Sequence, residues 1–134
     1  PIERIEGGML SFGGDTDDQT NPFEVRLGKY VDLDVPDDVI GIQALRTIAA
    51  QGPKRQQLGV LLDDFEQQPG HGLWYDVEID GQKVGTMTCG TWSPKLERMI
   101  GMVLIPIELS IGQSVSVRKG DRLITGTLCD LPFV

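Results

Sequence analysis

The sequence is poor in the side chains that build metal and nucleophile sites. It holds one histidine, His71, and two cysteines, Cys89 and Cys129, in 134 residues. One imidazole excludes sites needing several, and two thiols cannot make a four-thiolate zinc centre. No metal site is therefore expected. Nothing suggests secretion, so the cysteines read as a buried reduced pair rather than a disulfide. No apolar run approaches the roughly 18–20 residues of a membrane span. No basic amphipathic stretch suggests a membrane surface. Positive charge is also short, with 12 Lys and Arg against 20 Asp and Glu and a net charge of −8. A negative field repels phosphate backbones, so neither nucleic acid nor membrane is an expected partner. The opening residues are charged and mixed, and no signal peptide is visible. A cytoplasmic location is the expectation, for a chain whose start at Pro1 suits a processed or truncated protein.

What the sequence does hold is unevenly placed. Residues 1–38 carry ten acids against three bases, a net of −7, while the remainder carries −1. Turn formers crowd this acidic part: Gly7-Gly8, Gly13-Gly14, Asp15-Thr16-Asp17-Asp18, Asn21-Pro22 and Pro36. Val25, Leu27, Tyr30, Val31 and Leu33 suggest one or two short strands there. A helix is expected over residues 38–51, where Ile42, Leu45, Ile48 and Ala49 form one apolar stripe. Asp37 or Asp38 would cap its start, and Gly52-Pro53 would stop it.

Beyond Pro53 the period changes to two. Residues 58–62 form a short apolar run. Over residues 73–80, Tyr75, Val77 and Ile79 alternate with Asp76, Glu78 and Asp80, as a half-buried strand requires. Asp80-Gly81 reads as a hairpin turn. Residues 84–89 form the return strand, residues 100–105 a strand ended by Pro106, and residues 114–117 and 122–129 a hairpin turning at Lys119-Gly120-Asp121. Five to seven strands with short turns favour an antiparallel sheet that closes on itself. The expected fold is mainly β: residues 53–134 form a small antiparallel, jelly-roll-like barrel. Residues 1–52 form a separate acidic piece ending in one helix.

Several motifs invite chemistry. Asp15-Thr16-Asp17-Asp18 lacks the glycine and glutamate of a calcium loop, since Thr20 and Arg26 stand there, and reads as a solvated acidic turn. The glycine pairs around residues 9–12 have the wrong spacing for a nucleotide loop. Ser93 would need a base to act as nucleophile, and His71 lies in a Pro69-Gly70-His71-Gly72 loop that nothing brings near. In Arg4-Ile5-Glu6, a strand-like spacing would put both charged side chains on one face. There they would either pair or together bind a polar heterocycle, through a donor fork and an acceptor.

The string Arg4-Ile5-Glu6-Gly7-Gly8-Met9-Leu10-Ser11-Phe12-Gly13 resembles the aminomethyltransferase (glycine cleavage T-protein) family pattern R-x-E-x-G-h-x-x-Y-G, with h apolar. Thr20-Asn21-Pro22-Phe23-Glu24, Asp38 to Leu45, Val84 to Leu96 and Leu131-Pro132-Phe133-Val134 resemble further family segments in the same order. The resemblance implies that the chain is the C-terminal third of a longer protein. Residues 1–52 would be the end of an α+β folate-binding module, and residues 53–134 its C-terminal barrel. It further implies transfer of a one-carbon group from a small-molecule donor to tetrahydrofolate. The family's catalytic aspartate would lie in the missing N-terminal part of the same protein, so no catalytic residue is expected here. Arg4 matches the arginine at the folate site, Glu6 the acid that supports it, and Tyr30 is a weaker candidate. Phe12 departs from the family tyrosine. The segments at Glu3-Arg4-Ile5-Glu6, Thr20-Asn21-Pro22 and Leu128 to Phe133 look closer to the dimethylsulfoniopropionate demethylase branch, whose donor is a sulfonium compound. The alternatives are a glycine cleavage aminomethyltransferase proper and a non-catalytic barrel used for binding.

Overall fold

The computed structural model describes residues 2–63 and 75–134. His71 with its loop, and the beginning of the strand expected over residues 73–80, lie outside the described residues. Six strands are present among those described: β1 (Arg55–Leu62), β2 (Tyr75–Ile79), β3 (Gln82–Ser93), β4 (Arg98–Pro106), β5 (Ser114–Lys119) and β6 (Arg122–Cys129). They form a closed barrel in the order β1-β4-β3-β2-β5-β6, every neighbouring pair antiparallel. β1 lies beside β4 and β6 rather than beside β2, a Greek-key connection. Closure through β1 and β6 leaves no open edge to pair with another chain.

The turns follow from local chemistry. Asp80 and Gly81 both take positive φ, at 51° and 78°, which is the two-residue turn whose twist matches the flanking strands. Gly120 at φ 59° opens the β5–β6 turn. Alternation fills the barrel: Leu58, Val60 and Leu62 of β1 meet Met87, Met99, Val103, Ile105, Val117 and Leu128 inside. The intervening residues of β4, Ile100 and Met102, join Cys89, Ile5 and Leu131 in a second apolar cluster on the outside. Helix α1 (Ile2–Glu6) packs there, against β3 and β4.

Three local expectations are corrected. Residues 25–33 form no strand; they hold turns and a short 3-10 helix, Gly28–Tyr30. Side chains satisfy that backbone locally, so it needs no sheet partner. Asn21 Oδ1 accepts from the Phe23 and Glu24 amides, and Asp32 Oδ1 from the Asp34 amide. The second helix, α2 (Ile42–Gln51), starts four residues later than expected and has no side-chain cap. Gly41 enters it at φ 82°, while Asp37 is engaged by Arg46 at 2.6 Å. Its end at Gly52 is as expected, at φ 77° with the Gly52 amide on the Ile48 carbonyl. Finally, Asp15 does not lie in a solvated turn: only 3% of it is exposed.

Candidate functional site

Helix α1 is a single turn closed by glycines. The Gly7, Gly8 and Met9 amides bond back to the Glu3, Ile5 and Arg4 carbonyls, and Gly8 takes φ 67°. Ile5 is fully buried against the barrel. Residues two apart on a helix do not share a face. Arg4 and Glu6 therefore leave the helix in different directions, which corrects the strand-like reading that put them together.

Arg4 turns toward the loop at residues 9–16. Its Nη1 donates to the Met9 carbonyl and to Asp15 Oδ2, each at 2.7 Å. The Asp15 side chain is completely buried. Its Oδ2 also accepts from the Ser11 amide at 2.9 Å, and its Oδ1 accepts from Thr88 Oγ1 at 2.5 Å. Burial disfavours the Arg4 charge, but the Asp15 hydrogen bond, with Cys89 and the Asp15 charge added, outweighs it and holds the guanidinium above its ordinary value. Burial, with the Asp15 charge added, pushes the neighbouring Cys89 thiol up to about 12. Both cysteines are free thiols, Cys89 buried and Cys129 half-buried.

Glu6 goes the other way. Its Oε1 accepts from Ser93 Oγ at 2.5 Å, and Lys95 Nζ stands 3.7 Å from Oε2. The Glu6 carbonyl receives the Phe133 amide at 2.9 Å. Glu6 thus ties α1 to the end of β3 and to the C-terminal tail. It borders a separate hollow of about 480 Å³ with Ile2, Glu3, Pro94 and Lys95.

Tyr30 is 74% exposed, with the Lys29 ammonium 5.0 Å from its ring centroid. It lines an open cleft of about 470 Å³ together with Met9, Arg26, Lys29, Gln57 and Leu131. Arg26 adopts φ 66°, a backbone state that non-glycine residues rarely take, and pairs with Asp130 at 2.7 Å. Gln57, on β1, is 4% exposed and reaches this cleft from the barrel side. The acidic segment therefore presents Arg26 and Lys29 here. Arg4 does not line this cleft; it holds the carbonyl of Met9, a wall residue, while Tyr30 lines the cleft and Glu6 the other hollow.

Sequence reasoning missed Asp15, Thr88 and Gln57. Asp15 was hidden in an acid-rich turn and Thr88 in a strand. Neither has a local signal, because their contact joins residues 73 positions apart. Among the described residues, no group of three or more His, Cys, Asp and Glu side chains is placed to hold a metal, and no helix is long and apolar enough to cross a membrane.

The family described as glycine cleavage T-protein C-terminal barrel domain matches residues 55–134. The aminomethyltransferase of Synechococcus sp. (strain CC9902) is 38% identical over 97% of this chain and 35% of its own length. Mouse mitochondrial dimethylglycine dehydrogenase is 32% identical over 98% of this chain and 15% of its own length. The crystal structure of glycine cleavage system aminomethyltransferase T from Bartonella henselae aligns with a TM-score of 0.83 at 23% identity, over 99% of this chain and 37% of that one. The chain thus spans about a third of the length of the aminomethyltransferases it matches.

Proposed function

The chain belongs to the glycine cleavage T-protein C-terminal barrel family, and from that premise we propose that it is the C-terminal part of a tetrahydrofolate-dependent transferase of one-carbon groups. The observation that carries this reading is the cleft between residues 7–30 and the barrel. Its volume falls in the ordinary range of ligand sites, roughly 300–1,000 Å³. It offers an exposed aromatic ring at Tyr30, a buried amide at Gln57, apolar walls at Met9 and Leu131, and the bases Arg26 and Lys29 at one side. A flat heteroaromatic group joined to an anionic tail, as in tetrahydrofolate, complements that set. When bound, tetrahydrofolate supplies the nitrogen that accepts the one-carbon group. Arg4 stands behind the cleft wall, its Nη1 bonded to the carbonyl of Met9, which lines the cleft, and to Asp15. Its role is to orient the cofactor, with Tyr30 covering it. Glu6 supports α1 rather than touching the ligand.

The donor is proposed to be a small amine. The relatives described above are named for aminomethyl and dimethylglycine chemistry, whereas the sulfonium reading rests on three short likenesses alone. The remaining part of the same protein is the proposed partner of residues 2–52. That segment leaves Phe12 81% and Ile40 99% exposed, positions the rest of the protein would cover in this reading.

The test is a titration of the full-length protein with tetrahydrofolate. Arg4→Ala should weaken binding about tenfold to a hundredfold, the loss of hydrogen bonds made by a charged group. Unchanged affinity would remove Arg4 from the site.

A further inference from the structure

Arg4 has a long, flexible stem and is one-quarter exposed. Left alone, such a guanidinium samples many rotamers, and a ligand would have to bear the cost of ordering it. Here both hydrogens of Nη1 are already taken, by the Met9 carbonyl and by Asp15. Asp15 is in turn held from three sides: by Arg4 of α1, by the Ser11 amide of its own loop, and by Thr88 of the barrel. All three groups are donors, so only an acceptor at both oxygens suits the position.

The barrel contributes through an irregularity. The β3–β4 register shifts between Met87 and Cys89. Met87 points into the barrel core, while Cys89 belongs to the outer cluster beneath α1. Thr88, at the shift, bonds Asp15 and lies 3.4 Å from the Met102 carbonyl. A bulge re-aims side chains in this way, giving the outer face two successive residues where a regular strand gives one.

We propose that Asp15, braced by Thr88 at the β3 bulge, is the positioning residue that fixes the Arg4 guanidinium for the folate ligand. The inference rests on the assignment of Arg4 made above. Asp15 does not line the cleft and does not meet the ligand; it acts through Arg4. The barrel thereby takes part in the site although its strands stand behind it.

The test is a double-mutant cycle in the full-length protein, read as KM for tetrahydrofolate and kcat, with thermal melting of each variant. Asp15→Asn puts an amide donor against a ring of donors. It should raise KM about tenfold to a hundredfold, the scale of a misplaced orienting group, with a smaller fall in kcat. Thr88→Val should move KM the same way by less, and Thr88→Ser should restore it. In an Arg4→Ala background the effects of Asp15→Asn and Thr88→Val should vanish, because the group they position is gone. Should Asp15→Asn fail to fold, the Thr88 pair carries the same cycle. If these substitutions raise KM equally with and without Arg4, or leave KM unchanged in a folded protein, the inference is overturned while Arg4 keeps its role. If Arg4→Ala itself leaves folate affinity unchanged, the site assignment fails first and the inference with it.

Discussion

At the scale of single residues, no buried side-chain nitrogen or oxygen among the described residues lacks a hydrogen-bond partner. Glu24 is 6% exposed and lies against Arg55, whose Nε and Nη2 donate to its carboxylate at 2.5 and 3.1 Å. Burial alone would raise the Glu24 carboxyl, but the Arg55 hydrogen bonds, the Asn21 amide and the Arg55 charge together outweigh it and hold it below the ordinary range. The cysteines show the opposite case. Burial first, then the Asp15 charge, pushes Cys89 up to about 12, and burial with the Asp130 charge pushes Cys129 up to about 11. A thiol raised in the folded state adds stability that is fully present below its unfolded value, near 9, and is lost as pH climbs through the folded one. Both groups should therefore stay protonated and unreactive in the native protein at pH 8, and stability should decline from about pH 9 upward. Iodoacetamide labelling followed by mass spectrometry checks this: label should enter only on unfolding. Rapid native labelling at pH 8 would contradict the buried thiol at Cys89.

At the scale of elements, the two helices differ in what holds them. α1 is anchored by Ile5 in the outer cluster and by Glu6 on Ser93. α2 instead holds the loop before it: Arg46 donates to the Leu33 and Val35 carbonyls and to Asp37. Arg46→Ala should speed amide exchange across residues 33–51 while the barrel strands keep their protection. The barrel has its own sensitive point at Gly85. A Cβ there would collide with the Leu104 carbonyl and stand 2.9 Å from Ile105 Cγ2. Gly85→Ala should destabilise the fold by about 1–3 kcal/mol, the usual penalty of overpacking, in chemical denaturation. Equal stability of this variant and the parent would show that β3 and β4 do not approach as described.

At the scale of the whole molecule, specific hydrogen bonds and ion pairs join the barrel and the acidic segment. The Gln57 amide bonds the Glu24 carbonyl at 2.8 Å, Arg55 grips Glu24, and the C-terminal tail bonds the Glu6 carbonyl. The proposed cleft lies along this seam, with one wall from each part and a wide opening. Orientation supplies much of the rate in group transfer. On the proposed function, in which the rest of the protein completes the site, the 134-residue chain alone should therefore transfer no one-carbon group. Turnover by the purified chain with tetrahydrofolate and an amine donor, followed by detection of the folate product, would refute this.

Local physics was legible in the sequence. Alternation beyond Pro53 marked the strands, Asp80-Gly81 and Lys119-Gly120-Asp121 marked the hairpins, and Gly52 marked the end of α2. Each rests on a backbone preference or a face pattern set within a few residues. The antiparallel barrel followed from the number of strands and the need to remove edges. The short segments that carry the family resemblance were also visible as strings. Only the tertiary structure decided the order β1-β4-β3-β2-β5-β6 and the bulge at Thr88. It alone buried Asp15 among acids that looked solvated, and it sent Arg4 to Asp15 and Glu6 to Ser93. The reason is distance along the chain. Asp15 meets Thr88 across 73 residues, and Glu6 meets Ser93 across 87. Such pairs exist only once the barrel has closed and α1 has docked on its outer face, so no local pattern of residue types carries them.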